Sequence, residues 1–203
     1  MGWTWYIATH YKDGKINRKA ECDSLFTQNE QDKVYYQKEY HLPKMTVLKS
    51  VMKGSVYYGA IESINSLTNV KKIFAVVCKT SVEGMEFGYK DMDETCGPYY
   101  FDCPNSILEI LSETDNELAL EWRKKCREQN EQNKEISKSK KLLKELPLGS
   151  KIKFNSLNNL SNGVEIGDEI ILTKINVSNN KWFDGAYTWP SKFINHNFEI
   201  LNY

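Results

Sequence analysis

Two neighbouring stretches decide how this chain folds. They are Ile73-Phe74-Ala75-Val76-Val77-Cys78 and Phe87-Gly88-Tyr89-Lys90-Asp91-Met92-Asp93-Glu94-Thr95-Cys96-Gly97-Pro98-Tyr99-Tyr100-Phe101-Asp102-Cys103-Pro104. The first is a short, continuous apolar run, the pattern of a central strand covered on both faces. The second crowds carboxylates, a lysine and aromatic rings around a Gly-Pro turn, which makes it a site candidate. It ends at Cys103-Pro104, which reads as a helix start with proline at the first helical position and the cysteine as its cap.

Toward the N-terminus, Trp3 to Tyr11 is aromatic and β-branched, which suits a strand, and Asp13-Gly14 supplies a hairpin turn. Arg18 to Tyr40 matches a helical period better than an alternating one, and its helix must stop before Pro43. Thr46 to Ile64 reads as two strands about Lys53-Gly54-Ser55, because its Val, Tyr and Thr content and its interior glycines disfavour helix.

Toward the C-terminus, Ile107, Leu108 and Leu111 give a helix an apolar face. Thr114-Asp115-Asn116-Glu117 has the spacing of a capping box, and Leu118, Trp122 and Cys126 follow at four-residue intervals. Between Arg127 and Lys141 only Ile136 is large and apolar, which predicts a solvated helical extension or flexible connector ending at Leu146-Pro147-Leu148-Gly149. Ser150 to Tyr203 holds short strand candidates split by Asn, Gly and Ser. The expected class is therefore α+β: an N-terminal mixed sheet with packed helices over 1–126, a charged helical linker over 127–149, and a small β-barrel-like module over 150–203.

Composition narrows the function classes. The chain has 203 residues, 40% of them hydrophobic, enough for a real core. Lys+Arg 27 balance Asp+Glu 27, so no overall field draws it to a phosphate backbone or an anionic membrane. The start, Met1-Gly2-Trp3-Thr4-Trp5-Tyr6-Ile7, lacks the basic and apolar regions of a secretory signal, and no window spans a bilayer. A cytoplasmic protein without a membrane partner is expected. The cysteines Cys22, Cys78, Cys96, Cys103 and Cys126 show no paired close spacing and read as free thiols.

No Gly-rich phosphate loop, G-x-S-x-G, H-E-x-x-H or C-x-x-C occurs. Asp91, Asp93 and Glu94 have the oxygen chemistry of a Mg²⁺ or Ca²⁺ site, or of acid/base groups, but lack the remaining positions of a calcium loop; solvated turn carboxylates are the plainer reading. Cys103 at a helix start reads either as a lowered-pKa thiol, with His10 as its only nearby helper, or as a small buried residue. A zinc site from Cys96, Cys103, Cys126 and a histidine matches no standard spacing. Neither a metal nor a cofactor is assigned. Arg123, Lys124, Lys125 and Arg127 begin a basic run that Glu128, Glu131, Glu135 and Glu145 interrupt. Trp182, Phe183, Tyr187 and Trp189 are either a binding surface of the tail module or its core. The residues selected as a binding surface are Trp3, Lys90, Asp91, Asp93, Glu94 and Tyr99, with Cys103 beside them.

Gly2-Trp3-Thr4, Arg18-Lys19-Ala20-Glu21-Cys22-Asp23, Phe87 to Glu94 with Gly97-Pro98, Cys103-Pro104, and Trp122-Arg123 with Cys126 together resemble a domain-of-unknown-function family carried by conjugative elements and phages of Gram-positive bacteria. The resemblance covers most of the chain. It implies a mobile-element setting in a bacterial cytoplasm and no catalytic residue. Three functions follow as expectations. The first is a non-enzymatic accessory protein that binds a host or element protein, with counter-defence as a role. The second is nucleic-acid or nucleotide binding through the basic helix and aromatic tail, and the third an enzyme built on Cys103 or the acidic cluster.

Overall fold

A computed structural model describes residues 2–27, 44–64, 68–157, 163–178 and 180–202. It divides into two units, Met1–Asn130 and Glu131–Tyr203. In the first, strands β1 (Thr4–Ile7), β4 (Lys44–Lys53), β5 (Val56–Ile64), β6 (Lys71–Glu83) and β7 (Glu86–Asp93) form one sheet in the order β1-β7-β6-β5-β4. Every pairing is antiparallel, which corrects the expected mixed sheet. The reason is connection length: β4 to β5 and β6 to β7 are tight hairpins, whereas a parallel pair needs a long crossover. Strands β2 (Tyr11–Lys12) and β3 (Lys15–Ile16) make a separate small hairpin. Its turn holds Asp13 at φ 51° and Gly14 at φ 71°, the left-handed pair that Asp-Gly tolerates.

The apolar run Ile73 to Cys78 lies within central strand β6, between β5 and β7. Alternation sends Tyr57, Ile61, Val76 and Cys78 to one face, where Cys22 and Phe26 from the region of helix α1 (Arg18–Leu25) cover them. Val56, Tyr58, Ala60, Ala75 and Val77 go to the other face, beneath Ile107 and Leu108 of α2 (Asn105–Leu108) and Trp122 and Cys126 of α3 (Glu117–Glu145). Burial on both faces explains why the run shows no period of two. Trp122 is fully buried, and its indole N–H donates to the Tyr100 carbonyl at 2.9 Å. Truncating such a residue to Ala costs about 3–5 kcal/mol.

Several local expectations are corrected. Asn17 caps α1 through its side-chain oxygen, which accepts from the Ala20 N–H, and the helix stops at Leu25. The rest of the helix expected to reach Tyr40 falls largely on residues 28–43, outside the described residues. Asn116, not Thr114, caps α3: its side chain accepts from the Ala119 N–H at 2.9 Å, while the Thr114 hydroxyl accepts from the Asn116 N–H at 3.2 Å. The helix therefore starts two residues later than the capping-box reading places it. That rotation exposes Leu118 and buries Ala119.

Helix α3 runs through most of the expected linker. Its solvent face carries pairs such as Lys125–Glu121, Lys134–Glu131 and Lys138–Glu135, each worth a few tenths of a kcal/mol, about 0.2–0.5. The extension is not wholly solvated, because Leu143 near its end, with Leu146 just beyond it, enters the core of the second unit.

That unit is a five-stranded antiparallel sheet in the order β11-β10-β9-β8-β12, from β8 (Lys151–Asn155), β9 (Glu169–Asn176), β10 (Lys181–Phe183), β11 (Thr188–Pro190) and β12 (Glu199–Asn202). Strands β11 and β12 stand at opposite edges without pairing, so among the described residues the sheet is open and no barrel closes. Ile152, Phe154, Ile170, Leu172, Trp182 and Trp189 alternate into its core. The same inward row of β9 contains Lys174, only 1% exposed. Its ammonium donates to the carbonyls of Leu143, Lys144 and Leu146 at 2.8, 2.9 and 2.7 Å, satisfying acceptors that the end of α3 leaves orphaned. No helix of the described residues is long and apolar enough to cross a membrane.

Candidate functional site

The residues selected from the sequence do not form one cluster. Phe87 to Asp93 lies in strand β7, paired with β6 throughout and with β1 as far as Tyr89, rather than in an exposed turn. Glu94 is 1% exposed and locked to Arg123, itself 6% exposed: the Arg123 Nε donates to Glu94 Oε2 at 2.7 Å and its Nη2 to Oε1 at 2.6 Å. The remaining terminal nitrogen donates to the Ser112 carbonyl at 2.8 Å. Both charges are thus consumed in tying the end of β7 to α3. Asp93 caps the 3-10 turn Glu94–Cys96, accepting from the backbone N–H of Thr95 at 2.8 Å and from its hydroxyl. Asp91 is exposed, two residues earlier on the same face of β7 and in register with Cys78. With Glu94 bound to Arg123 and Asp93 committed to its cap, the three carboxylates have no common focus. Among the described residues no group of three or more His, Cys, Asp or Glu side chains is placed to hold a metal ion.

Cys103 is not a cap. Pro104 occupies that position, and the helix after it has only four residues. The thiol is fully buried beneath α3, so desolvation, reinforced by Cys126, pushes its pKa up rather than down. Burial likewise pushes Cys126 up to about 12. A buried protonated thiol is a packing group, not a nucleophile. The Gly97-Pro98 turn borders a cleft of only about 70 Å³, too small for a typical small-molecule site.

His10, the proposed helper, lies elsewhere. It stands beside Glu21, 1% exposed, whose carboxylate accepts from the backbone N–H groups of Thr9 and His10 at 2.6 Å each and from the Tyr6 hydroxyl at 2.9 Å. Burial alone raises the pKa of such a carboxyl. The hydrogen bonds from His10, Tyr6 and Thr9 outweigh it and hold Glu21 below the ordinary glutamate range. The group fastens the chain after β1 to α1.

What the sheet does bring together is an aromatic surface. Trp5 and Gly88 are directly opposed in the β1–β7 register, and the indole lies against the glycine: a Cβ on Gly88 would sit 2.7 Å from three of its ring atoms. Glycine inside a strand marks such a close approach. Trp3 stacks on Trp5 with ring centroids 5.8 Å apart and planes 29° apart. Alternation puts Ile7 on the same face of β1. These side chains remain 45% (Trp3), 40% (Trp5) and 58% (Ile7) exposed.

Farther along that face, Lys90 of β7 opposes Lys79 of β6, a like-charge pair that disfavours the sheet. Lys79 is engaged: its ammonium donates to the Ser55 hydroxyl at 2.6 Å and lies 5.5 Å from the centre of the Tyr100 ring. Tyr100 in turn contacts the exposed Tyr99 ring, with centroids 4.6 Å apart. Of the selected residues, then, Trp3, Lys90 and Tyr99 border one face of the first unit. Asp91, Asp93, Glu94 and Cys103 do not contribute to it.

Trp5, Gly88, Lys79 and Tyr100 complete this surface and were not selected from the sequence. The signal for them is partial: the alternation Trp3-x-Trp5-x-Ile7 puts three large apolar side chains on one strand face, and a glycine inside a later strand marks a close approach without saying to which side chain. The two features behind a nucleic-acid reading are spent elsewhere. Arg123 is buried against Glu94, and Lys124, Lys125, Lys134, Lys138 and Lys141 each have a glutamate partner. Trp182 and Trp189 belong to the core of the second unit, and of the four aromatic residues only Phe183 and Tyr187 are exposed.

Compared with known proteins, the chain matches no family model, no curated protein and no solved structure.

Proposed function

We propose that this is a non-enzymatic binding protein whose partner is another protein, held on the Trp3–Trp5–Ile7 face of the first unit. The observation that carries the reading is the stacked indole pair, with Trp5 laid on Gly88 and both rings left partly open to solvent. Exposed tryptophans and tyrosines anchored on a rigid sheet are the side chains that dominate protein interfaces. The charges support a protein over a phosphate backbone. Lys79 and Lys90 on this face are matched by Glu83 and Glu86, the opposed pair at the other end of the same two strands, so no cationic track results. The candidate catalytic groups favour no enzyme, since Glu94 is neutralised by Arg123 and Cys103 is buried. The resemblance to a family of conjugative elements and phages supplies the setting: an accessory protein acting in a bacterial cytoplasm on a host or element protein, with counter-defence as its role.

The test compares the wild-type chain with the Trp3→Ala/Trp5→Ala double variant as baits in bacterial lysate, followed by affinity measurement with the purified partner. Central aromatic anchors cost about 2 kcal/mol or more when truncated, so affinity should fall at least about 30-fold. Equal affinity for the two baits would rule out this face.

A further inference from the structure

We propose a second, separate site: the groove between the β2–β3 hairpin and the start of α1 binds an oligophosphate group, supplied by a nucleotide or by a free polyphosphate. The groove is shallow and open to solvent, with about 480 Å³ of space over Lys12, Lys15, Arg18 and Lys19 and with Ile16 and Met52 among its apolar walls. That volume suits a small organic ligand.

Two independent electrostatic conflicts meet here. Lys12 and Lys15 are directly opposed across the hairpin, where like charges destabilise the pairing. Arg18 and Lys19 occupy the first turn of α1, where cations oppose the helix macrodipole. The acidic residue of that turn, Glu21, does not relieve them, because its carboxylate is held by Tyr6, Thr9 and His10. Lys19 is paired with Asp23 at 2.6 Å. Among the described residues Lys12, Lys15 and Arg18 make no ion pair and Asp13 is the one carboxylate in the groove lining. Three cations without an ion pair among the described residues, brought to one concavity by a hairpin and a helix in a chain of zero net charge, are the chemistry of an anion site. A multiply charged phosphate group would relieve both conflicts at once, and the apolar walls offer a resting place for a base or sugar.

The experiment is calorimetric titration of the full chain at low salt with ATP, with inorganic pyrophosphate and with a single-stranded oligothymidylate. Binding of ATP should be saturable, weaken steeply with salt, and fall at least tenfold in the Lys15→Gln/Arg18→Gln variant. The Lys134→Gln/Lys138→Gln variant, altered far along α3, should bind as the wild type does. ATP tighter than pyrophosphate assigns the ligand to nucleotides, and equal affinity assigns it to the bare oligophosphate. The Lys15→Gln/Arg18→Gln variant should unfold no more readily than the wild type without ligand, since repulsion has been removed, so loss of binding is not loss of fold. Saturable binding of neither ATP nor pyrophosphate overturns the proposal, as do binding of the oligonucleotide alone and equal weakening by the α3 control.

Discussion

Replacing Glu94 separates a structural carboxylate from a functional one. In Glu94→Gln the side-chain shape persists and one oxygen still accepts from Arg123, but the guanidinium keeps its full charge in a site where it is 6% exposed. Two hydrogen bonds between ionised partners, at 2.7 and 2.6 Å, become at best one from the guanidinium to a neutral amide oxygen, and the amide NH₂ faces the other donor. Removing one member of a buried pair costs about 3–5 kcal/mol, whereas an exposed pair is worth about 0–1 kcal/mol. Domain stabilities are about 5–15 kcal/mol, so the variant should retain its fold with much of its margin gone. Replacing both partners, as Glu94→Leu/Arg123→Met, should cost less than the sum of the single changes. It will not be neutral, because Arg123 also donates to the Ser112 carbonyl. Native-state hydrogen exchange of the β5 and β6 amides measures the first unit without interference from the second. A cost below about 1 kcal/mol for Glu94→Gln would refute the reasoning and return Glu94 to the list of functional groups.

Other consequences are equally specific. Gly88→Ala should displace the Trp5 ring, abolish the stacked-indole signal in the ultraviolet circular dichroism, and cost about 1–3 kcal/mol by overpacking; an unchanged spectrum would contradict the contact. Lys174→Met removes one donor from three helix carbonyls and should lower the stability of the second unit by about 1–3 kcal/mol in urea unfolding. Because the folded pKa of Glu21 is depressed, its stabilisation is complete above the unfolded value of about 4.3 and is lost as pH falls through the folded one. Glu21→Gln should therefore flatten the acid limb of the unfolding profile below that pH. Thiol labelling of the native chain should modify the exposed Cys96 and spare Cys22, Cys78, Cys103 and Cys126 until it unfolds.

Where one physical signal dominates, the residues announce the structure. The uninterrupted run Ile73 to Cys78, the Asp13-Gly14 turn and the break at Lys53-Gly54-Ser55 each report strand or turn, and each lies where the alternation of buried side chains requires it. Capping was read less well. Thr114 and Asn116 both carry capping side chains, and the choice of Asn116 follows from which register lets Ala119, Trp122 and Cys126 face the sheet. The charged part of α3 concealed a core contribution because Leu143 and Leu146 lie beyond the polar stretch that sets its texture.

The site was harder to read than the fold. Asp91 and Asp93 share one face of β7, but they and Glu94 are committed differently: Asp91 is exposed, Asp93 caps the turn that follows, and Glu94 is buried against Arg123, so proximity along the chain did not make a common site. Arg123, the partner that neutralises Glu94, lies 29 positions away on another helix. The Trp3–Trp5 surface depended on a pairing of β1 with β7 that no local pattern specifies.

The central claim is that the open indole pair on β1 is where a partner protein is held. Its most direct measurement is the affinity of the purified partner for Trp5→Ala and for Asp91→Ala, the second an exposed residue on the opposite face of the neighbouring strand. The account predicts a loss of at least about tenfold for Trp5→Ala and none for Asp91→Ala. The reverse order, or equal affinity in both, would contradict it.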